Sequence, residues 1–179
     1  MVEFDANKLW KRLPDLGTKT LQINRTVIRI VNVGSQFMVS GALAIAASKA
    51  GVDPQGAGAF EIVSGSTFSL RLARERMLIV TDRESPLASG WHDDGYAVTE
   101  MSGAFAVFEI SGRDALDIVK RGATSSPTER SASAAINFAG LTACIYRFGS
   151  EDVVRLHLDR GLAPYLWEWF ETLSEVASL

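Results

Sequence analysis

Cysteine and histidine are nearly absent from this 179-residue chain: Cys144 is the lone cysteine, and His92 and His157 are the two histidines. A single cysteine cannot close an internal disulfide, which removes the disulfide-stapled secreted scaffolds. Long apolar runs are missing too. The longest, residues 38–47, is interrupted by Ser40 and Gly41 and is about half of the ~20 residues a helix needs to cross a bilayer, so no transmembrane helix is expected. Neither sign of charge dominates. A formal net charge of -3 with 22% charged residues gives no general attraction for nucleic acid or an anionic membrane surface. The amino-terminal stretch MVEFDANKLW is acidic and polar instead of a basic segment leading into an apolar run, and a cytoplasmic location is expected.

What is present is ordinary globular material, 47% hydrophobic. A chain of this length can bury roughly 70% of its unfolded surface, enough for one substantial domain or two small ones. The clearest structural signal is the tract 96–123. Val98, Ala104, Ala106, Phe108 and Ile110 recur at period two around Ser102-Gly103, which predicts two antiparallel strands joined by a tight turn. Ser111 then reads as a helix cap, Asp114 as an acidic first-turn residue, Leu116, Ile118 and Val119 as the apolar face, and Gly122 as the stop after Lys120 and Arg121. No nucleophile–base pair, phosphate loop or ligand cluster follows this tract.

Around it the chain reads as a pseudo-repeat. Residues 1–18 form an arm with Leu9, Trp10 and Leu13 among Lys8, Lys11 and Arg12, ended by Pro14 and Gly17. The alternating run 21–33 predicts a strand, and the alanine-rich 37–50 predicts a helix stopped by Gly51 and Asp53-Pro54. Strands are expected at 59–63, 68–73 and 77–81, followed by a connection over 82–95. After the helix at 113–121 and a polar loop TSSPTERSAS come strands at 134–138, 141–148 and 152–158. A last helix carries the stripe Leu162, Leu166, Trp169, Leu173 and Val176, predicted to face the core, with Pro164 in its first turn. The fold class is therefore α+β, with two similar βαβββα-like halves and antiparallel sheets. The expected organisation is an arm at 1–18, a first half at 19–95 and a second at 96–179, tightly associated as one unit.

Three stretches carry a family resemblance. LRLARERMLIVTD, AVTEMSGAFAVFEISGRDALDIVKRGA and FAGLTACIYRFGSEDVVRLHLDRGLAPYLWEWFETL, covering about residues 65–175, resemble the gamma subunit of heterotetrameric sarcosine oxidase. That subunit is related to the folate-binding fold of the glycine cleavage T protein. The resemblance implies a folate-binding-domain-like fold and a non-catalytic subunit of an oxidase that demethylates sarcosine or a similar N-methyl amino acid. It implies no cofactor in this chain, with FAD, FMN, NAD, tetrahydrofolate and zinc held by partner subunits: larger flavin- and folate-binding chains and a small zinc-binding chain. A free-standing folate-dependent aminomethyltransferase is the alternative. T proteins place paired aspartates before an apolar strand, whereas Leu141 and Thr142 stand here, and a threonine hydroxyl does not ionise usefully near neutral pH.

The remaining candidates have plainer explanations. Cys144 sits in an expected buried strand and reads as a structural thiol. Trp91-His92-Asp93-Asp94 has ligand chemistry but no second ligand motif. His157 alternates with Leu156 and Leu158 and is expected on a polar strand face, without an identifiable general-base partner. Gly56-Ala57-Gly58 lacks a third glycine opening a helix and reads as a turn. Gly34-Ser35 reads as the cap of the helix expected after it, and the TSSPTERSAS loop as a solvated connection. No catalytic, cofactor-binding or metal residue is assigned. Trp10, Trp91 and Trp167 are interface candidates: the first and second lie in segments too short to bury them. Trp167 lies about 100° around the last helix from Leu166, outside its expected core face.

Overall fold

The computed structural model describes residues 16–83 and 87–177. After a 3-10 turn at Leu16–Thr18 come β1 (Thr20–Ile23), β2 (Thr26–Ile30), β3 (Ser35–Gly41), α1 (Leu43–Ala50), β4 (Ile62–Val63), β5 (Phe68–Ala73) and β6 (Arg76–Thr81). The second part supplies β7 (Gly90–His92), β8 (Tyr96–Glu100), β9 (Phe105–Gly112), α2 (Ala115–Gly122), β10 (Ala135–Phe138), β11 (Leu141–Phe148), β12 (Val153–Asp159) and α3 (Ala163–Ala177).

These elements make two sheets packed face to face with helices outside. One sheet has the order β1-β2-β9-β12-β11-β10, with β4 lying parallel to the end of β11; the other has the order β5-β6-β3-β8-β7. Alternation along each strand then decides which core a side chain enters. Phe108, Ile110, Ile145 and Leu156 face α2 and α3, together with Ile118, Leu166, Trp167 and Phe170. Val39, Met77, Ile79, Tyr96 and Val98 face α1. Leu70, Leu78, Val80, Cys144 and Tyr146 fill the space between the sheets. The fold class is the expected α+β with antiparallel sheets.

The repeat has an arrangement the sequence reading missed. Hairpin, strand, helix and two strands occur twice, as β1-β2, β3, α1, β5-β6 and as β7-β8, β9, α2, β11-β12. Each hairpin crosses to the other repeat's sheet: β2 pairs with β9, and β8 pairs with β3. The expected boundary at 95/96 therefore falls inside the β7–β8 hairpin, where His92 pairs with Tyr96. For the same reason Ser102-Gly103 is not a hairpin turn. It carries the chain from β8 in one sheet to β9 in the other, a turn whose local chemistry is identical but whose flanking strands have different partners.

Other expectations shift for local reasons. Residues 21–33 form a hairpin instead of one strand, folded at Asn24, which takes φ 52 as asparagine tolerates. The expected helix 37–50 is a strand and then a helix, because Phe37, Met38 and Val39 pair with both β6 and β8 at their edges while one core takes Phe37 and Val39 on one face and another takes Met38 on the other. Ser35 accordingly opens a strand and caps no helix. In the expected strand 59–63 only Ile62–Val63 qualifies, Phe60 having φ 61. Ser111 belongs to β9; Asp114 occupies the cap position of α2 without a side-chain cap bond and instead takes Arg25 at 2.6 Å. Gly58 marks a close approach, since a Cβ there would lie 1.7 Å from the Ser131 carbonyl oxygen. The TSSPTERSAS loop is held along β5, with Ala134 N donating to Arg71 O and Ser133 Oγ to Leu72 O.

Candidate functional site

The two inter-sheet crossovers lie side by side. Met101 N donates to Gln36 O at 2.7 Å, Gln36 N to Ser102 Oγ at 3.0 Å, and Val31 N to Val107 O at 2.9 Å. Between them opens a cleft of about 630 Å³, lined by residues 30–36, Ser102, residues 105–107, Asp82 and Arg160. Arg160 borders it with Nε and Nη2 committed: Nε to Gly103 O at 2.8 Å, and Nη2 to Phe105 O at 3.0 Å and Ser102 O at 3.3 Å. A guanidinium that spends Nε and Nη2 on three carbonyls clamps a chain reversal.

Beneath the cleft a polar cluster joins the sheets. Gln36 Oε1 of β3 meets His157 Nδ1 of β12 at 2.7 Å, and Tyr146 Oη of β11 meets His157 Nε2 at 2.9 Å. Because the glutamine oxygen only accepts, Nδ1 carries the proton and Nε2 accepts from the tyrosine hydroxyl. His157 is fully buried, 0% exposed, so the expectation of a polar strand face is overturned: both faces of this sheet are covered. Burial, and secondarily the nearby Arg155 cation, pushes its pKa down to about 3. Burial raises the Tyr146 hydroxyl far above its usual range. Cys144, opposite His157 across the ladder, is buried with its thiol pushed up to about 12, so it is not a thiolate near neutral pH.

The same inner face carries an ion row. Tyr146, Arg155, Glu109 and Arg29 stand in register across β11, β12, β9 and β2. Glu109 Oε2 receives Arg155 Nε at 2.9 Å and Nη2 at 2.7 Å, while Oε1 receives Arg29 Nη2 at 2.7 Å and Nε at 3.1 Å. Burial would raise the Glu109 carboxyl, but those hydrogen bonds outweigh it and hold the group below the ordinary carboxylate range. Arg155 also lies 3.4 Å over the Phe148 ring. The chemistry of both clusters is mutual satisfaction: each charge and each imidazole nitrogen is matched within the chain, which fixes the register of the sheets. Sequence reasoning missed both clusters. A signal was there in Glu109 and Arg155, charged residues set inside apolar strands, which only a paired partner permits.

The sequence candidates are scattered. His92 stacks on Tyr96 at 4.3 Å, with Nε2 2.8 Å from Ala88 O, while Asp94 takes Lys49 at 2.6 Å. Among the described residues no group of three His, Cys, Asp or Glu side chains is placed to hold a metal. Leu141 and Thr142 open β11 opposite Phe138 and Asn137, outside the lining of the cleft. Trp91 is 71% exposed on edge strand β7. Trp167 is 3% exposed, packed against Phe108, with its indole N–H on Glu171 at 2.6 Å and Lys19 above its ring; its expected place outside the core face is corrected, because it belongs to the main core. Trp10 lies outside the described residues.

Two sheets, each completed by the other repeat's hairpin and backed by helices, define the architecture, and it is that of a sarcosine oxidase chain. The matching structure is heterotetrameric sarcosine oxidase from Corynebacterium sp. U-96 in complex with pyrrole 2-carboxylate, with a TM-score of 0.69, 18% identity, and coverage of 92% of this chain and 91% of that one. No family model matches the chain, and no curated protein does. Among the described residues no helix is long and apolar enough to cross a membrane.

Proposed function

We propose that this chain is a non-catalytic, gamma-type subunit of a cytoplasmic heterotetrameric sarcosine oxidase, or of a related flavin-dependent N-methyl amino acid oxidoreductase. Its role is assembly and stability of the complex. The observation that carries this reading is the near end-to-end likeness to one chain of a heterotetramer: coverage of 92% and 91% makes the two chains almost equal in length. A small chain of the complex is matched as a whole. The polar clusters agree with such a role, because Arg160, His157 and Glu109 are spent on holding crossovers and sheets together. The larger partners would bind the flavins, NAD and tetrahydrofolate, and a small partner the zinc. Trp91, exposed on an edge strand, is a contact candidate.

Repressing the gene in its host tests the reading. Oxidation of N-methyl amino acids by cell extract should fall, with the larger flavin-containing subunits losing their assembled mass. Unchanged activity and unchanged sedimentation of those subunits would refute it.

A further inference from the structure

The last helix has two apolar faces, one buried fully and the other only in part. At 100° per residue, Ala163, Leu166, Trp167 and Phe170 occupy one sector of α3, and all four are buried against the sheet. A second line, Tyr165, Trp169, Leu173 and Val176, falls within about 80° of the circumference beside it, and Leu162 just before the helix continues it. Leu162, Tyr165 and Val176 are exposed, while Trp169 and Leu173 are half-buried. This line is about 20 Å long at 1.5 Å per residue. It is nearly the stripe whose periodicity predicts a core face; among the described residues Trp169 and Leu173 touch the core from its edge, Tyr165 Oη donates to Ala139 O, and the outer side of the line is uncovered.

One border of the line is the protein's own core and the other is acidic. Glu168 and Glu175, seven residues apart, lie on the far border and are exposed; α3 contains no lysine or arginine. A second copy of this chain is a poor occupant. Antiparallel pairing of two α3 helices about a two-fold axis sets the acidic border of one beside the acidic border of the other, which repels. An apolar segment with basic residues along one edge satisfies both features.

We propose that this outer line of α3 docks a partner polypeptide, an apolar helix edged by lysine or arginine, contributed by a larger subunit. The inference rests on the subunit reading and places one of its contacts. Tyr165 and Trp169 supply the large aromatic area that anchors such contacts, and Glu168 and Glu175 set the register and orientation.

The test uses the tagged full-length chain expressed in its host, with partner retention compared for wild type, Glu168→Lys/Glu175→Lys and Val176→Asp, each checked for wild-type thermal unfolding. About a tenfold or greater loss of retained partner is expected for both variants. Raised salt should partly restore binding of the charge-reversed variant while weakening that of wild type. Wild-type retention by both folded variants would overturn the docking site and leave the subunit reading standing. A wild-type chain that brings no partner would overturn both. A homodimer broken by the variants, or an outer line shielded by residues 1–15 and exposed on their removal, would assign the surface to another occupant and overturn the proposal.

Discussion

Acidification from pH 6.5 to 4.5 should destabilise this protein through one buried imidazole. His157 is neutral, its Nδ1–H bound to Gln36 and its Nε2 to Tyr146, with its pKa held at about 3 against 6.5 for a free side chain. The folded pKa lies below the unfolded one. The stabilisation is therefore complete above about pH 6.5 and is lost progressively as the pH falls toward 3, because the unfolded chain takes up a proton that the folded chain refuses. Each unit is worth about 1.4 kcal/mol, so two units remove about 2–3 kcal/mol, or roughly 5–10 °C in Tm for a chain of this size. Carboxylates held low, such as Glu109, begin to add their own losses below about pH 5.5, equally in wild type and in a His157 variant, so the difference between the two profiles isolates the imidazole. Thermal unfolding followed by circular dichroism at half-unit steps reads the slope. His157→Phe should be less stable at pH 7.5 by about 2–4 kcal/mol, with Gln36 and Tyr146 left unpaired, and should lose the slope between pH 6.5 and 5.5 and most of it down to 4.5. A flat wild-type profile, or an equal slope in the variant, would refute the reasoning.

The two faces of α3 should separate under mutation: Trp167→Ala costs about 3–5 kcal/mol in denaturant unfolding, whereas Val176→Ala changes stability by no more than about 0.5 kcal/mol. Cys144 should resist a thiol reagent at pH 8 in the native state and react at once in denaturant, since its thiol is buried and pushed up to about 12; rapid native labelling would contradict the inter-sheet packing. Gly58→Ala should lower Tm by several degrees, because its Cβ meets the Ser131 carbonyl at 1.7 Å and backbone has to move.

The elements legible in the sequence are those whose pattern has one dominant reading. Leu141–Phe148 and Phe68–Ala73 form strands over the residues their alternation and flanking turns indicate, and Pro164 sits in the first turn of α3. Legibility fails where partners are distant. Residues 37–39 are apolar on both sides because two cores cover them, and such a run has no period that separates strand from helix. Ser102-Gly103 has the chemistry of a hairpin turn, yet the exchange of hairpins between repeats is decided by pairing between β2 and β9 and between β8 and β3. The aromatic-rich α3 offers two overlapping stripes, and Phe108 on the sheet packs against the one holding Trp167 and Phe170. His157 finds Gln36 across 121 positions of sequence, a separation no local pattern encodes. The fold class was therefore readable, while the clusters that lock it were visible only as charged residues misplaced in apolar strands.

Purification of the tagged full-length chain from its host under mild conditions, with native mass and visible absorbance recorded on the same sample, tests the central claim most directly. The account predicts a yellow assembly in which this chain accompanies larger subunits and oxidises an N-methyl amino acid. A colourless monomer with no associated chains would contradict it.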